Sequence, residues 1–214
     1  MIASNYAEIR AGIQSAAAGR AVKLIGVTKT VSSERIAEAY RTGLRCFGEN
    51  RVQEALPKIT TLPADIEWHF IGHLQSNKAR EAVRNFSWIH SVDSVRLMSL
   101  IEKEAAKIQK KMNLLLEVNS GGEETKHGME PDAVSEAVTA SLKLEWCRVL
   151  GLMTVPPFYE DAEKVRPYFR MLREIAAPFT VLKELSMGMS HDYMVAIEEG
   201  STIVRIGTAL FGLR

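Results

Sequence analysis

The strongest constraint on the fold is an alternation, along the whole chain, between short runs of β-forming residues and longer stretches with helical periodicity. Several of the short runs, such as LLLEV and VLGLMTV, are continuously apolar, which is typical of parallel strands covered on both faces. Strands are predicted at 22–27, 45–48, 68–71, 88–91, 114–118, 149–153, 184–187 and 202–206. Helices are predicted at 5–18, 33–41, 94–111, 131–142 and 161–176.

Eight β/α units in about 200 residues predict a (β/α)8 barrel of the TIM type, close to the minimum size for that fold, with an extra helix at its N terminus. An open, doubly wound parallel sheet is the structural alternative. No linker or low-complexity segment divides the chain, so a single domain spanning residues 1–214 is expected.

Composition argues against several classes of function. Lys and Arg total 27 against 26 Asp and Glu, in mixed order, so no basic surface for nucleic acid is indicated. No segment resembles a signal peptide or reaches the roughly 20 apolar residues that cross a bilayer. Cys46 and Cys147 lie far apart in apolar runs, which predicts buried, reduced thiols in a cytoplasmic protein that binds no membrane. His69 and His73 are expected to have no acidic or cysteine third ligand nearby, so no metal site is predicted.

In a TIM barrel the C-terminal ends of the strands face one shared mouth, where the active sites of this fold are built. The residues expected there are Lys29, Asn50, His73, Asp93, Asn119, Met153, Ser186 and Arg205. Lys29 is a candidate nucleophile, although a solvated lysine is the more ordinary interpretation of that residue alone. A lysine must be neutral to attack a carbonyl, so its pKa would have to be lowered by burial and by a nearby cation, for which Arg205 is the candidate.

The loops after the last two predicted strands are suited to a phosphate group. The segment LSMGMSHD places Ser186, Gly188 and Ser190 before a helix, where free backbone N–H groups and the helix dipole favour an anion. The segment RIGTALFG adds Gly207, which allows close backbone approach, and the hydroxyl of Thr208. One such loop alone is typical of an ordinary helix cap, whereas two in neighbouring units favour a phosphate site.

With these segments the sequence resembles the pyridoxal-phosphate homeostasis protein family, whose barrel is similar to the N-terminal domain of alanine racemase. The matching stretches extend from about residue 22 to the C terminus and are GVTKTVSSERIAEAY, GLRCFGENRVQEALPK, EWHFIGHLQSNK, IHSVDS, GLMTVPP and LSMGMSHDYMVAIEEGSTIVRIGTALFG. The resemblance implies pyridoxal 5′-phosphate (PLP) as the cofactor. It also implies a role in buffering PLP or delivering it to apo forms of PLP-dependent enzymes, with effects on amino- and keto-acid balance, and a monomer or weak homodimer is expected.

The resemblance also implies a role for particular residues. Lys29 would be the Schiff-base lysine, and Arg205 would face the pyridine nitrogen. The phosphate would be held by Ser190, Gly207 and Thr208. The ring and its exocyclic groups would be lined by Asn50, His73, Met153 and Ser186. Two departures are visible, because the family usually has proline shortly after the lysine, where this chain has KTVS, and an aromatic residue after GEN, where it has Arg51.

The arginine has a chemical consequence, since it cannot protonate the ring nitrogen and PLP then stabilises a carbanion poorly. A second domain, through which alanine racemase, by the resemblance, presents a tyrosine base, is not expected here. A reversible tether is therefore expected more than an efficient enzyme. The alternatives are a minimal PLP-dependent amino-acid racemase or decarboxylase, and a PLP-independent barrel enzyme acting on a sugar phosphate. The polar loop 120–129 is expected to be either a mobile lid or a plain connection.

Overall fold

Eight parallel strands close into a barrel in chain order, which confirms the predicted (β/α)8 fold. The computed structural model describes residues 1–122 and 127–212. The strands are β1 (Lys23–Val27), β2 (Cys46–Glu49), β3 (Glu67–Phe70), β4 (Trp88–Val92), β5 (Met112–Glu117), β6 (Cys147–Met153), β7 (Glu184–Ser186) and β8 (Ile203–Ile206). The helices are α1 (Ile2–Ala17), α2 (Ser33–Arg41), α3 (Val52–Thr61), α4 (Ala79–Asn85), α5 (Val95–Lys107), α6 (Val134–Ser141), α7 (Arg166–Ala176), α8 (Tyr193–Glu198) and α9 (Thr208–Phe211). Short 3-10 turns lie at Ser76–Lys78, Pro131–Ala133 and Ala162–Val165.

Apolar side chains pack in two layers around the strands. The larger layer lies between the strands and the helices, where the barrel buries its outer face. The smaller layer fills the inside of the barrel and consists of Ile25, Trp88, Leu115, Met153 and Ile203. Strand β1 closes the barrel against β8, with Ile25 opposite Arg205 in the register. Because side chains alternate along a strand, Lys23 and Ile25 face the interior and Lys29 continues that series at the mouth.

Several element boundaries differ from the sequence prediction. Helix α5 ends at Lys107, short of the predicted residue 111, because Gln109 takes a left-handed conformation at φ 53°. Ile108, which follows the last helical residue, is 40% exposed. The segment predicted as one helix at 131–142 starts instead as the 3-10 turn Pro131–Ala133.

The described part of the chain contains no helix with both the length and the apolar character required to cross a membrane. Cys46 and Cys147 are free thiols, as predicted. Cys147 is buried, but the prediction of burial was wrong for Cys46, which is only partly covered because it begins β2 at the rim of the barrel.

Candidate functional site

Arg205 is the most strongly held side chain at the mouth of the barrel. It projects inward from β8 and is 4% exposed. Its Nη1 donates to both the carbonyl and the hydroxyl oxygen of Ser186, each at 2.6 Å, and its Nη2 donates to the carbonyl of Thr154 at 2.8 Å. Burial lowers the pKa of Arg205 to about 10, against the opposing effect of Asp192 and Glu117. The guanidinium therefore remains charged near neutral pH and is fixed in one orientation.

The two loops predicted to hold a phosphate meet each other. The backbone N–H groups of Gly207 and Ala209 both donate to the Ser190 hydroxyl oxygen, each at 3.2 Å. Thr208, the first residue of α9, is exposed beside them. Both N–H groups are thus bonded to the Ser190 oxygen, and the hydroxyls of Ser190 and Thr208 are the groups at this turn that can donate to an anion.

A further hydrogen bond ties these loops to the arginine, since the backbone N–H of Arg205 donates to the carbonyl of Gly188 at 3.0 Å. Gly188 has φ +93°, and a Cβ added there would lie 2.5 Å from the Cβ of Ala196. Only glycine fits both the backbone conformation and the available space at this turn. The sequence thus brings the β7 loop and β8 into contact through a glycine-dependent turn.

Lys29 and Asn50 lie together just beyond the ends of β1 and β2, and β1 is the neighbour of β8, which carries Arg205. They line a pocket of about 360 Å³ with Thr30, Arg51 and Glu54. Lys29 lies just beyond the end of β1 at the open mouth, as predicted, but it is exposed and does not have the burial that a nucleophilic lysine was expected to need. The Oδ1 of Asn50 is buried and accepts no hydrogen bond from the described residues.

Thr30, the residue after Lys29, has a left-handed backbone at φ 60°. This conformation is unfavourable for a β-branched residue. It occurs in the segment KTVS, where this sequence departs from the family by having no proline after the lysine. It sets the direction in which the chain leaves Lys29.

His73 lies on the β3 loop and borders a pocket of about 380 Å³ that it shares with Asn50. Its ring stacks on that of His127, with centroids 3.8 Å apart, and its Nδ1 is 3.6 Å from Asp93 Oδ2. Partial burial and the neighbouring His127 lower the pKa of His73, while Asp93 opposes them. His127 belongs to the loop 120–129, so the described end of that loop reaches the mouth. Residues 123–126 of this loop, for which a lid or a plain connection is expected from the sequence, lie outside the described residues.

Met153 and Ser186 occupy the barrel interior. Met153 is 1% exposed and packs in the inner apolar layer, and Ser186 is fully buried with its hydroxyl bonded to Arg205. Ser186 therefore contacts the candidate ring-binding arginine. A direct contact of either residue with a cofactor ring stays a prediction.

Glu117 is a functional candidate that the sequence reasoning missed. It ends β5 inside the mouth at 8% exposure, and its Oε2 has no hydrogen-bond partner among the described residues. Burial raises the pKa of Glu117 to about 7, against the opposing charge of Arg205, with Asp93 adding to the rise. The available signal was the single acid within the apolar run LLLEV.

His69 and His73 do not act as a pair, because His69 is fully buried inside the barrel. The expectation that His69 has no acidic or cysteine neighbour was wrong, since ligand atoms of Cys46, Glu67 and His69 lie within 4.8 Å of one another. Lys23 Nζ, however, is 2.8 Å from Glu67 Oε1 and supplies the positive charge there. The absence of a metal site stays a prediction.

Comparisons with known proteins fit this arrangement. The family described as "Alanine racemase, N-terminal domain" matches residues 1–214. A protein of Aquifex aeolicus named pyridoxal phosphate homeostasis protein is 52% identical over 198 residues, which cover 90% of this chain and 87% of that protein. The structure of PipY from Synechococcus elongatus with PLP bound has a TM-score of 0.88 at 38% identity, covering 99% of this chain and 100% of PipY. PipY without PLP gives a TM-score of 0.89 at 40% identity, with the same coverage.

A more distant comparison bears on the fold alone. Alanine racemase from Clostridium difficile is 16% identical, with a TM-score of 0.75, and the match covers 99% of this chain and 57% of the racemase. The shared part is the barrel.

Proposed function

Since this chain belongs to the family of pyridoxal phosphate homeostasis proteins, we propose that it binds PLP, holds it as a Schiff base on Lys29, and buffers or delivers it, with effects on amino- and keto-acid balance. The observation that carries the proposal is the assembly of Arg205 and the converging loops at the same end of the barrel as Lys29. Lys29 and Arg205 are 176 residues apart in the sequence, so their common location is a property of the closed barrel.

The residues present suit the chemical parts of PLP. The hydroxyls of Ser190 and Thr208 would donate to the phosphate, while the N–H groups of Gly207 and Ala209 hold the Ser190 hydroxyl in place and Gly207 allows close approach of the backbone. Arg205 offers a fixed positive charge to the pyridine nitrogen. Asn50 and His73 border the pockets next to Lys29 and would contact the ring substituents.

When bound, PLP supplies an electron-poor ring that can stabilise negative charge on an attached carbon. Arg205 limits this chemistry, because a guanidinium with a pKa of about 10 keeps its proton near neutral pH and leaves the ring nitrogen unprotonated. The guanidinium, held in one orientation, would orient the ring without transferring a proton to it. A reversible tether is the function that these properties support best.

The proposal extends to features that go with a carrier. Apo forms of PLP-dependent enzymes would be the recipients, the protein would work in the cytoplasm as a single-domain monomer or weak homodimer, and nucleic acid would not be bound. Binding of PLP by PipY, as its structure is described, supports the cofactor assignment.

The test is reduction with borohydride after incubation with PLP, followed by peptide mapping. We expect the pyridoxyl group on Lys29 and a visible absorption band before reduction. Lys29→Ala should lose both, whereas Lys143→Ala, which removes an exposed lysine elsewhere on the surface, should keep both. A pyridoxyl group on another lysine, or on none, would contradict the proposal.

Glu117 favours a second candidate function, a slow PLP-dependent racemase or decarboxylase. A carboxyl with a pKa of about 7 beside Arg205 can accept or donate a proton near neutral pH. Exchange of the Cα proton of amino acids with deuterium would reveal such a role. The exchange should fall at least about tenfold in Glu117→Gln. Slow exchange at the same rate in the wild type and in Glu117→Gln would favour the function of a PLP carrier.

A further inference from the structure

A chain of hydrogen bonds crosses the inside of the barrel from its N-terminal end to Arg205. Glu67 Oε1 is 2.8 Å from His69 Nε2, His69 Nδ1 is 2.9 Å from His90 Nε2, and His90 Nδ1 is 2.9 Å from Ser186 Oγ. The Ser186 hydroxyl then accepts from Arg205 at 2.6 Å. The four bonds join β3, β4, β7 and β8, and His69, His90 and Ser186 are fully buried. We call Glu67, His69, His90 and Ser186 the interior relay.

Burial and charge select one direction for the donors of the interior relay. Glu67 accepts as a carboxylate, because its bonds to His69 and Lys23 lower its pKa to about 2 in spite of partial burial. Burial also lowers the pKa of both histidines, against the opposing effect of Glu67 on His69 and with the charges of Arg205 and Lys23 adding to it for His90. The neutral form of each ring therefore predominates at pH 7. A neutral imidazole carries one donor and one acceptor nitrogen.

The carboxylate of Glu67 determines the tautomer of His69, which in turn determines that of His90. His69 must donate from Nε2 to Glu67, so its Nδ1 accepts from Nε2 of His90. Nδ1 of His90 must in turn accept the hydroxyl proton of Ser186. The Ser186 oxygen can then act only as an acceptor toward Arg205, and Arg205 Nη1 donates to it.

This polarity matters for Arg205 because a serine hydroxyl can otherwise rotate and present its proton. A hydroxyl proton that pointed at the guanidinium would repel it and break the 2.6 Å contact. With the proton committed to His90, both oxygens of Ser186 accept from Nη1, and Thr154 accepts from Nη2. The plane of the guanidinium is thereby fixed.

The other end of the interior relay lies near solvent, at the opposite end of the barrel from Lys29. Glu67 is the first residue of β3, its side chain is 37% exposed, and it pairs with Lys23. Lys23 also lies over the ring of Trp88, 4.7 Å from the ring centroid. These contacts fix Glu67 as an acceptor. Through the two histidines this sets the direction of donation at Ser186, whose hydroxyl donates to His90.

We infer that Glu67, His69 and His90 are positioning residues, which act through the Ser186 hydroxyl to hold Arg205 in the orientation that receives the ring nitrogen of PLP. The part concerning the ring rests on the proposed function, whereas the polarity of the relay and the order it imposes on Arg205 do not. Transfer of protons along the relay is not part of the inference, because the guanidinium at its end keeps its protons.

The first experiment needs no cofactor. Nitrogen-15 NMR of the histidine rings between pH 7 and 8 should show His69 and His90 neutral and protonated at Nε2. The Arg205 side chain should give a slowly exchanging guanidinium signal that is lost in His90→Leu and recovered in His90→Gln, since glutamine also has one donor and one acceptor end. Protonation of either ring at Nδ1, or an unchanged Arg205 signal in His90→Leu, would overturn the inference.

The second experiment measures PLP affinity and the visible band of the bound cofactor. We expect His90→Leu to weaken binding about tenfold and to shift the band, and His90→Gln to recover most of both. Leu115→Ala, which truncates a fully buried side chain of the inner apolar layer, controls for destabilisation and should leave the affinity within about twofold.

The two experiments separate the possible failures. Equal affinity in the wild type and His90→Leu would overturn the positioning of Arg205 for the ring. If the wild type itself binds no PLP, the proposed function fails, while the NMR signals of His69, His90 and Arg205 still decide whether the interior relay holds the guanidinium.

Discussion

The inside of the barrel and its mouth have opposite characters. In the interior relay each linking side chain donates or accepts in a defined direction, and the histidines and the serine are fully buried. At the mouth, Lys29 is exposed, Asn50 Oδ1 and Glu117 Oε2 have no partner among the described residues, and Thr30 has an unfavourable backbone. A buried polar atom without a partner costs free energy unless something else supplies the bond. The contrast indicates that the hydrogen bonds of the interior relay are complete without a ligand, whereas the mouth is arranged to receive one.

The largest expected effect comes from removing either of two cations: Arg205, which is bonded to the end of the interior relay, or Lys29, which is exposed at the mouth. Arg205→Met should lower the free energy of unfolding by about 3 kcal/mol, because the oxygens of Ser186 and Thr154 lose a buried donor. Lys29→Met should change it by less than about 0.5 kcal/mol, since that side chain is exposed. Both variants should bind PLP poorly. Urea unfolding monitored by circular dichroism measures the two stabilities, and equal losses would remove the distinction between the regions.

Glu117 should make the mouth sensitive to pH. Burial raises its pKa from 4.5 to about 7 in the folded chain, so between these values the unfolded state has released a proton that the folded state retains. Stability is therefore lost as the pH rises through this window. The whole shift corresponds to about 3 kcal/mol.

The matched comparison is Glu117→Gln, which cannot ionise. The variant should gain stability relative to the wild type by about 3 kcal/mol at pH 8 and by much less at pH 5. Urea titrations at both pH values measure the two differences. A difference that is the same at both would mean that Glu117 does not titrate in this range.

The sequence predicts the barrel and part of the mouth, for a physical reason. Apolar runs such as LLLEV mark strands locally, and the last two loops carry glycine and hydroxyl residues whose use depends on short-range geometry. The sequence predicts that the loop with Ser190 and the loop with Gly207 and Ala209 lie side by side, because they follow neighbouring strands at the mouth, and the structure shows them bonded to each other.

The interior relay could not be predicted in the same way. Its contacts join His69 to His90, 21 residues on, and His90 to Ser186, 96 residues on, and these depend on closure of the barrel and on the stagger between strands. One sign of the relay is nevertheless visible in the sequence of β3. Glu67 and His69 are polar residues two apart in a strand buried on both faces, which places both on one side of it. Such a pattern indicates polar side chains inside a barrel.

The smallest expected effect concerns the backbone next to Lys29. Thr30→Gly should relieve the left-handed conformation at φ 60° at the expense of a more flexible unfolded chain, for a net gain of about 0.5 kcal/mol. Thr42→Gly is the control, because Thr42 has an ordinary φ of −75° and its hydroxyl donates to the Ala39 carbonyl, so that substitution should cost about 1 kcal/mol. If the strained turn directs Lys29 toward the mouth, Thr30→Gly should be more stable and yet bind PLP about threefold more weakly. A variant that is more stable and binds equally well would show that the strain at Thr30 has no part in placing the lysine.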